Sequence, residues 1–266
     1  MINPKALIFS GYGLNCEEET KYAFEIAGGT ADIMHINDLI SNRHALDNYQ
    51  ILALPGGFSY GDDTGSGNAF ANKIRNNLWE KLYDFVNKDH LIIGICNGFQ
   101  ILGNLGLLPA LEKKYGDRNV ALAHNNSARY TVRFVDLKIN AENPWFRGIK
   151  NLSLPIAHGE GRFHVSSDVL KTLKKKDLIA ARYIKGEICD HFCLPANPNG
   201  SLNDIAAITD ETGRILGMMP HPERAIFFTH LPHWPYLKEK NKQKKNKIPT
   251  EGPGLQIFKN AVQYFK

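Results

Sequence analysis

The run Leu91-Ile92-Ile93-Gly94-Ile95, followed at once by Cys96-Asn97-Gly98, constrains this chain more than any other stretch. Five residues with no polar side chain on either face belong in the middle of a parallel sheet that is covered on both sides. Gly94-Ile95-Cys96-Asn97-Gly98 then places glycine two residues either side of a cysteine. That is the spacing of a nucleophile elbow, in which a sharp strand-to-helix turn exposes one side chain and the flanking glycines let neighbouring backbone pass close by. A helix starting near Asn97 would aim its free N–H groups at the sulfur and favour the reactive thiolate. The same position also suits a small buried hydrophobe at the end of a core strand, as most free cysteines are.

The first hundred residues set this strand in a regular alternation. Ala6–Phe9, Ala31–Ile36 and Ile51–Leu54 read as strands. Glu17–Ala27 and Asn68–Val86 read as helices, the second carrying Phe70, Ile74, Leu78, Leu82 and Phe85 near the helical period. This rhythm predicts an α/β fold with an open, mainly parallel sheet flanked by helices. The second half reads as strands at Thr131–Ile139, Leu152–Ala157, Leu178–Tyr183, Ile205–Thr209 and Ile215–Met219. Asp210-Glu211-Thr212-Gly213 joins the last two as a hairpin, so an antiparallel region is expected there. Pro253–Tyr264 reads as a closing helix.

Composition excludes several functions. The 266 residues are 43% hydrophobic, and no apolar run approaches the ~20 residues that span a bilayer. Four cysteines do not make a secreted disulfide framework, and no signal pattern opens the chain, so a cytoplasmic location is expected. The net charge of +5 lies entirely in Lys238–Lys247, where six lysines stand with one glutamate. Elsewhere acidic and basic groups balance, which argues against a nucleic-acid partner. One domain over residues 1–266 is expected, with a lysine-rich surface insertion at about 232–250.

A nucleophile needs a base and a group to orient it. His221-Pro222-Glu223 offers both directly after an apolar strand, with Pro220 and Pro222 stiffening the backbone either side of the histidine. Glu223 could equally pair with Arg224 at the surface, and alone the tripeptide is weak. Acyl transfer also needs N–H donors for an oxyanion. The Asn97 amide is one candidate, and the Gly57 amide in Pro55-Gly56-Gly57-Phe58, after another strand, is the second. Both lie where open α/β sheets place their ligands, at the carboxyl ends of parallel strands.

Together, Pro55-Gly56-Gly57, Gly94 to Gln100 and His221-Pro222-Glu223 resemble the three signatures of the class I (triad) glutamine amidotransferases. Further runs resemble the branch of that family serving phosphoribosylformylglycinamidine synthase in purine biosynthesis. They are Gly56 to Asp62, Gly106-Leu107-Leu108-Pro109, Asn126 to Arg129, His158-Gly159-Glu160-Gly161-Arg162, Ala196 to Ser201 and Met218 to Arg224. The resemblance implies a flavodoxin-like fold and a Cys96–His221–Glu223 triad that hydrolyses glutamine through a γ-glutamyl thioester. It implies that Gln100, one helical turn beyond the nucleophile, holds the substrate, and that no cofactor or metal is bound in this chain. ATP and magnesium are expected on a partner synthetase subunit that receives the ammonia, with a small accessory third subunit also expected. His158 and Glu160 are expected at the subunit interface or near the ammonia exit.

Two other functions fit parts of the sequence. A stand-alone cysteine hydrolase could use the same elbow, but often has histidine directly after the cysteine, where this chain has Asn97. A non-catalytic scaffold would have no need of Cys96, His221 and Glu223 together. Cys189-Asp190-His191-Phe192-Cys193 crowds zinc-type ligands, yet no second pair stands at finger-like spacing. Cys16 reads as structural or incidental.

Overall fold

The computed structural model describes residues 3–266. Its strands are β1 (Lys5–Ser10), β2 (Thr30–His35), β3 (Ile51–Leu54), β4 (Leu91–Ile95), β5 (Ala121–Ala123), β6 (Thr131–Ile139), β7 (Asn151–His158), β8 (Arg162–His164), β9 (Ile179–Ile184), β10 (Ile205–Thr209) and β11 (Ile215–Met218). Its α-helices are α1 (Glu17–Ile26), α2 (Ile36–Ser41), α3 (Asn68–Asn87), α4 (Asn97–Leu105), α5 (Ser167–Lys175), α6 (Glu187–Phe192), α7 (Trp234–Gln243) and α8 (Leu255–Gln263).

Nine strands form one sheet in the order β2-β1-β3-β4-β11-β10-β9-β6-β7, while β5 and β8 pair separately. β2, β1, β3, β4 and β11 run parallel, and the remaining four continue antiparallel from β11. This is the expected α/β architecture with its antiparallel second half, including the β10–β11 hairpin closed by Gly213 N–H on the Asp210 carbonyl. Every residue of β3, β4, β10 and β11 is buried, as helices on both faces require. β7 instead alternates buried and partly exposed positions, because one face is open.

The β1–α1–β2 and β3–α3–β4 crossovers travel in opposite directions along the sheet. Right-handed connections therefore put α1 and α3 on opposite faces. Phe24 of α1 and Phe258 of α8 meet edge to face at 4.9 Å, so α8 shares the α1 layer. Arg75 of α3 donates to the carbonyls of Asn104 and Leu105, binding α3 to α4. The chain order reverses at β1, whose neighbours are β2 and β3, and that reversal opens a crevice at the carboxyl ends of β1 and β3.

Most boundaries shift by a residue or two, and two differences have a specific cause. The second strand ends at His35 rather than Ile36, because the His35 ring accepts the Asn37 N–H and caps α2. The lysine-rich segment is helical in its first half, as α7, with Pro235 in its first turn. Lys240 reaches Glu187 of α6 at 3.7 Å, and no residue of α7 is buried.

Candidate active site

Cys96 sits between β4 and α4 with φ +52° and ψ −105°, a conformation costly for a residue with a side chain. Tight packing of the elbow explains its glycines. The Gly98 backbone lies directly against the Leu54 carbonyl at the end of β3, and a Cβ there would run into that oxygen. The turn lifts the thiol out of the sheet plane, where Sγ lies 3.7 Å from the Ala157 carbonyl of β7.

Strand register brings the second element alongside. Met218 of β11 pairs with Ile95 of β4, and the Cys96 N–H donates to the Met218 carbonyl at 2.8 Å. The chain then passes Pro220 and reaches His221, whose own N–H is tied to Pro155 of β7 at 2.8 Å. A 3-10 turn over Pro222–Arg224 folds Glu223 back, so its Oε1 stands 2.5 Å from His221 Nδ1. Both side chains are buried.

Burial alone would strip the proton from this imidazole. Burial is the largest single influence, but the Glu223 carboxylate and the neighbouring Cys96 and Cys16 sulfurs together outweigh it, holding the His221 pKa well above the ordinary histidine range. Both sulfurs are near neighbours of the ring, while Nε2 itself has no full hydrogen bond among the described residues. With Nδ1 on the carboxylate, Nε2 is the nitrogen left for the reaction.

The oxyanion candidates lie on either side of the crevice. Gly57 is clamped by the loop after β1: Asn15 and Cys16 donate to the Gly56 carbonyl, and Phe58 donates to the Gly13 carbonyl. A Cβ on Gly57 would stand 2.5 Å from the Gly13 oxygen, so the approach needs glycine. Asn97 is tied to the loop after β3 that carries Gly57, because its side-chain Oδ1 accepts from Ser59 N–H at 3.2 Å. Asn97 Nδ2 also donates to Gln100 Oε1 at 2.8 Å. Gln100 is therefore engaged at both ends, because its Nε2 donates to the Glu160 carbonyl. Its side chain still lines a cavity of about 310 Å³ with Ser66, Asn104, Leu122 and Glu160. A larger cavity of about 830 Å³, between the end of α2 and the second half of α3, contains none of these residues.

His158 is no surface docking residue. Its ring is 2% exposed, with Nδ1 3.1 Å from Asn125 Oδ1 and Nε2 3.5 Å from Asn199 Nδ2. Asn125 Oδ1 can only accept, which places the proton on Nδ1 of a neutral ring. Burial, and then the nearby His221, lower its pKa to about 4. Asn125 also donates to the His158 carbonyl and accepts from Gly161 N–H, while Asn199 donates to the Gly161 carbonyl. The His158–Gly161 and Asn197–Ser201 phrases thus form one buried polar knot beneath the loop that carries Glu160. Glu160 points into the site, where its carboxylate accepts from Ser66 N–H at 3.2 Å.

Two further residues belong to the site: Cys16, which reads in the sequence as structural or incidental, and Asn125, which the sequence reading passed over. Cys16 is fully buried and in contact with Arg224, whose Nη2 lies 2.8 Å from its sulfur. Asn125 stands one residue before the run that drew notice. Cysteine or asparagine in a loop carries no local signal, and only the folded crevice gives these two their neighbours. Cys16, His221 and Glu223 also present possible metal-ligand atoms within 4.8 Å of one another, though the Arg224 guanidinium already occupies the sulfur. Cys189 is buried against backbone carbonyls and Cys193 is exposed in the turn ending α6.

The fold and site define the class first: the sequence pattern of the CobB/CobQ-like glutamine amidotransferase domain matches residues 3–265. A phosphoribosylformylglycinamidine synthase subunit PurQ from Methanococcus maripaludis is 49% identical over 265 residues, covering 98% of each chain. The PurQ subunit of Dehalococcoides mccartyi is 42% identical over 268 residues, covering 99% of this chain and 98% of that one. This chain belongs to the PurQ family of phosphoribosylformylglycinamidine synthase subunits, within the CobB/CobQ-like glutamine amidotransferases. A chain in the structure of PurLQS from Thermotoga maritima superimposes along its full length with a TM-score of 0.72 at 29% identity.

Proposed function

We propose that this chain is the glutaminase of phosphoribosylformylglycinamidine synthase. It supplies ammonia to an ATP-dependent synthetase subunit that converts formylglycinamide ribonucleotide to its amidine in purine biosynthesis. Cys96 attacks the side-chain amide carbon of L-glutamine, and the developing oxyanion is met by the amides of Asn97 and Gly57. The carbon–nitrogen bond breaks, and His221 gives its proton to the departing nitrogen, leaving a γ-glutamyl thioester on Cys96. His221 then takes a proton from water as the water adds to the thioester. Glutamate leaves and the thiolate returns. Glu223 fixes the imidazole tautomer and stabilises its positive charge. The cavity beside Gln100 and Glu160 takes the amino-acid end of the substrate.

The observation that carries this reading is the buried His221–Glu223 pair at 2.5 Å, its remaining ring nitrogen without a full hydrogen bond among the described residues, beside the strained cysteine. The chemistry needs no metal or cofactor in this chain. ATP and magnesium are used on the synthetase subunit, and a small third subunit completes a complex that works in the cytoplasm. Among the described residues no helix is long and apolar enough to cross a membrane, in keeping with that location. A stand-alone hydrolase would release glutamate from glutamine without any partner. Glutamate release is therefore measured with and without the cognate synthetase. It is expected to rise strongly with the partner and to vanish in Cys96→Ala, and turnover by the alanine variant would overturn the assignment.

A further inference from the structure

Arg224 has two partners and holds them unequally. Its Nη2 lies 2.8 Å from Cys16 Sγ, whereas its Nε stays 3.9 Å from Glu223 Oε1. Glu223 Oε2 is meanwhile buried, with no hydrogen-bond partner among the described residues. A guanidinium fork matches a carboxylate edge to edge, so the adjacent Arg224 is the obvious group to fill that oxygen. Instead it is turned toward a sulfur.

Backbone contacts, not side-chain chance, put the thiol there. The Cys16 N–H donates to the Gly56 carbonyl at 3.2 Å, and its own carbonyl accepts from Thr20 Oγ1 at 2.6 Å. Across Gly56 the thiol and the imidazole meet: a Cβ on that glycine would stand 2.6 Å from His221 Cε1 and 3.2 Å from Cys16 Sγ. The same cluster could be taken for a metal site, since Cys16, His221 and Glu223 converge within 4.8 Å. An added cation would face the guanidinium already on the sulfur, so the charges favour the arginine contact.

We propose that Cys16 is a positioning residue of the ammonia-forming site, anchoring the Arg224 guanidinium so that its ion pair with Glu223 stays long, at 3.9 Å, and the carboxylate's close partner is His221. The proposal rests on the reading of His221 and Glu223 as base and orienter. If Arg224 swung onto Glu223, a bidentate pair would cancel the charge that keeps the proton on the buried imidazole. The other groups facing the ring cannot replace it. Any charge on Cys96 is used up when its sulfur bonds to the substrate, and His158 on β7 and Tyr130 beside the site carry no negative charge at neutral pH.

The test compares Cys16→Ala, which removes the anchor, with Cys16→Ser, which keeps an acceptor for Arg224, in the assembled complex. For Cys16→Ala the kcat of glutamine hydrolysis is expected to fall about tenfold or more, with KM for glutamine unchanged. The alkaline limb of its kcat profile should move to lower pH by about one unit as Arg224 neutralises Glu223. Cys16→Ser should stay within about threefold of the parent, and adding Arg224→Gln to Cys16→Ala should return the limb to its original position. Should Cys16→Ala not fold, Cys16→Val fills the space without a polar atom and gives the same comparison. Equal behaviour of the serine and apolar variants, or no recovery on removing Arg224, would overturn the proposal. Cys96→Ala is assayed alongside: residual turnover there would sink the triad reading itself, a separate outcome.

Discussion

His221 Nδ1 and Glu223 Oε1 stand 2.5 Å apart although Pro222 separates the two residues in the chain. In an extended strand, residues two apart share a face with side chains side by side, and a histidine would not turn its ring onto its neighbour. The 3-10 turn that starts at Pro222 makes this contact, and burial makes it strong. Replacing Glu223 with glutamine keeps the shape but offers an amide that no longer fixes the tautomer or the charge. Steady-state assays of Glu223→Gln in the complex are expected to show kcat reduced on the order of 10²–10⁴-fold. A loss smaller than tenfold would show that the imidazole is oriented by something else.

The raised pKa of His221 sets the direction of the pH profile. The imidazolium persists through neutral pH and is lost only above the ordinary histidine range. Glutaminase activity should therefore hold on the alkaline side of neutrality and decline as His221 gives up its proton. An alkaline limb centred near 6.5, the value of a free histidine, would contradict this.

His158 works in the opposite sense. Its folded-state pKa is about 4, below the unfolded value near 6.5, so the unfolded chain binds the extra proton first. The stability contributed by the neutral ring is present above pH ~6.5 and is lost as pH falls through about 4, a difference on the order of 3 kcal/mol. Denaturant titrations should show the midpoint falling through that window. In His158→Gln the dependence should flatten, while the polar knot around Asn125 and Asn199 costs about 1–3 kcal/mol at neutral pH.

Gly98→Ala tests the packing of the elbow. The added methyl meets the Leu54 carbonyl on a neighbouring strand, and neither backbone can yield without breaking the sheet. A loss of about 3 kcal/mol or more is expected, seen as a lower thermal midpoint. If Gly98→Ala kept the parental midpoint, the close approach would be wrong.

The lysine-rich helix should be dispensable for stability. No residue of α7 is buried, and its contacts are exposed ion pairs, cation–ring contacts such as Lys238 over Trp234, and the Tyr236 ring against His191. Changing Lys238, Lys240 and Lys242 of this helix to glutamine should alter stability by no more than about 0.5 kcal/mol and leave glutamine hydrolysis unchanged. The chromatographic charge should drop accordingly.

Much of this molecule was legible from residue order. The apolar run Leu91–Ile95 could only be a central strand, the glycine–cysteine–glycine spacing marked the elbow, and the Asp210–Gly213 turn marked the hairpin. Each is a local pattern, set by side-chain period or by which residue tolerates a turn. The start of α2 was hidden because its cap is a histidine ring that reads as part of a strand. His158 was expected at the subunit interface or near the ammonia exit, and nothing around it in the sequence told that Asn125 and Asn199 bury it.

The sequence alone offered a candidate nucleophile at Cys96, a candidate His221–Glu223 pair and a parallel sheet to carry them. Only the tertiary structure decided that Met218 lies beside Ile95, which brings residues from β4 and β11 to one crevice. It also decided that Cys16, far away in sequence, holds Arg224 at that crevice. Strand register and loop contact depend on how distant segments pack. A residue whose role comes from neighbours that folding supplies leaves no mark in the sequence around it.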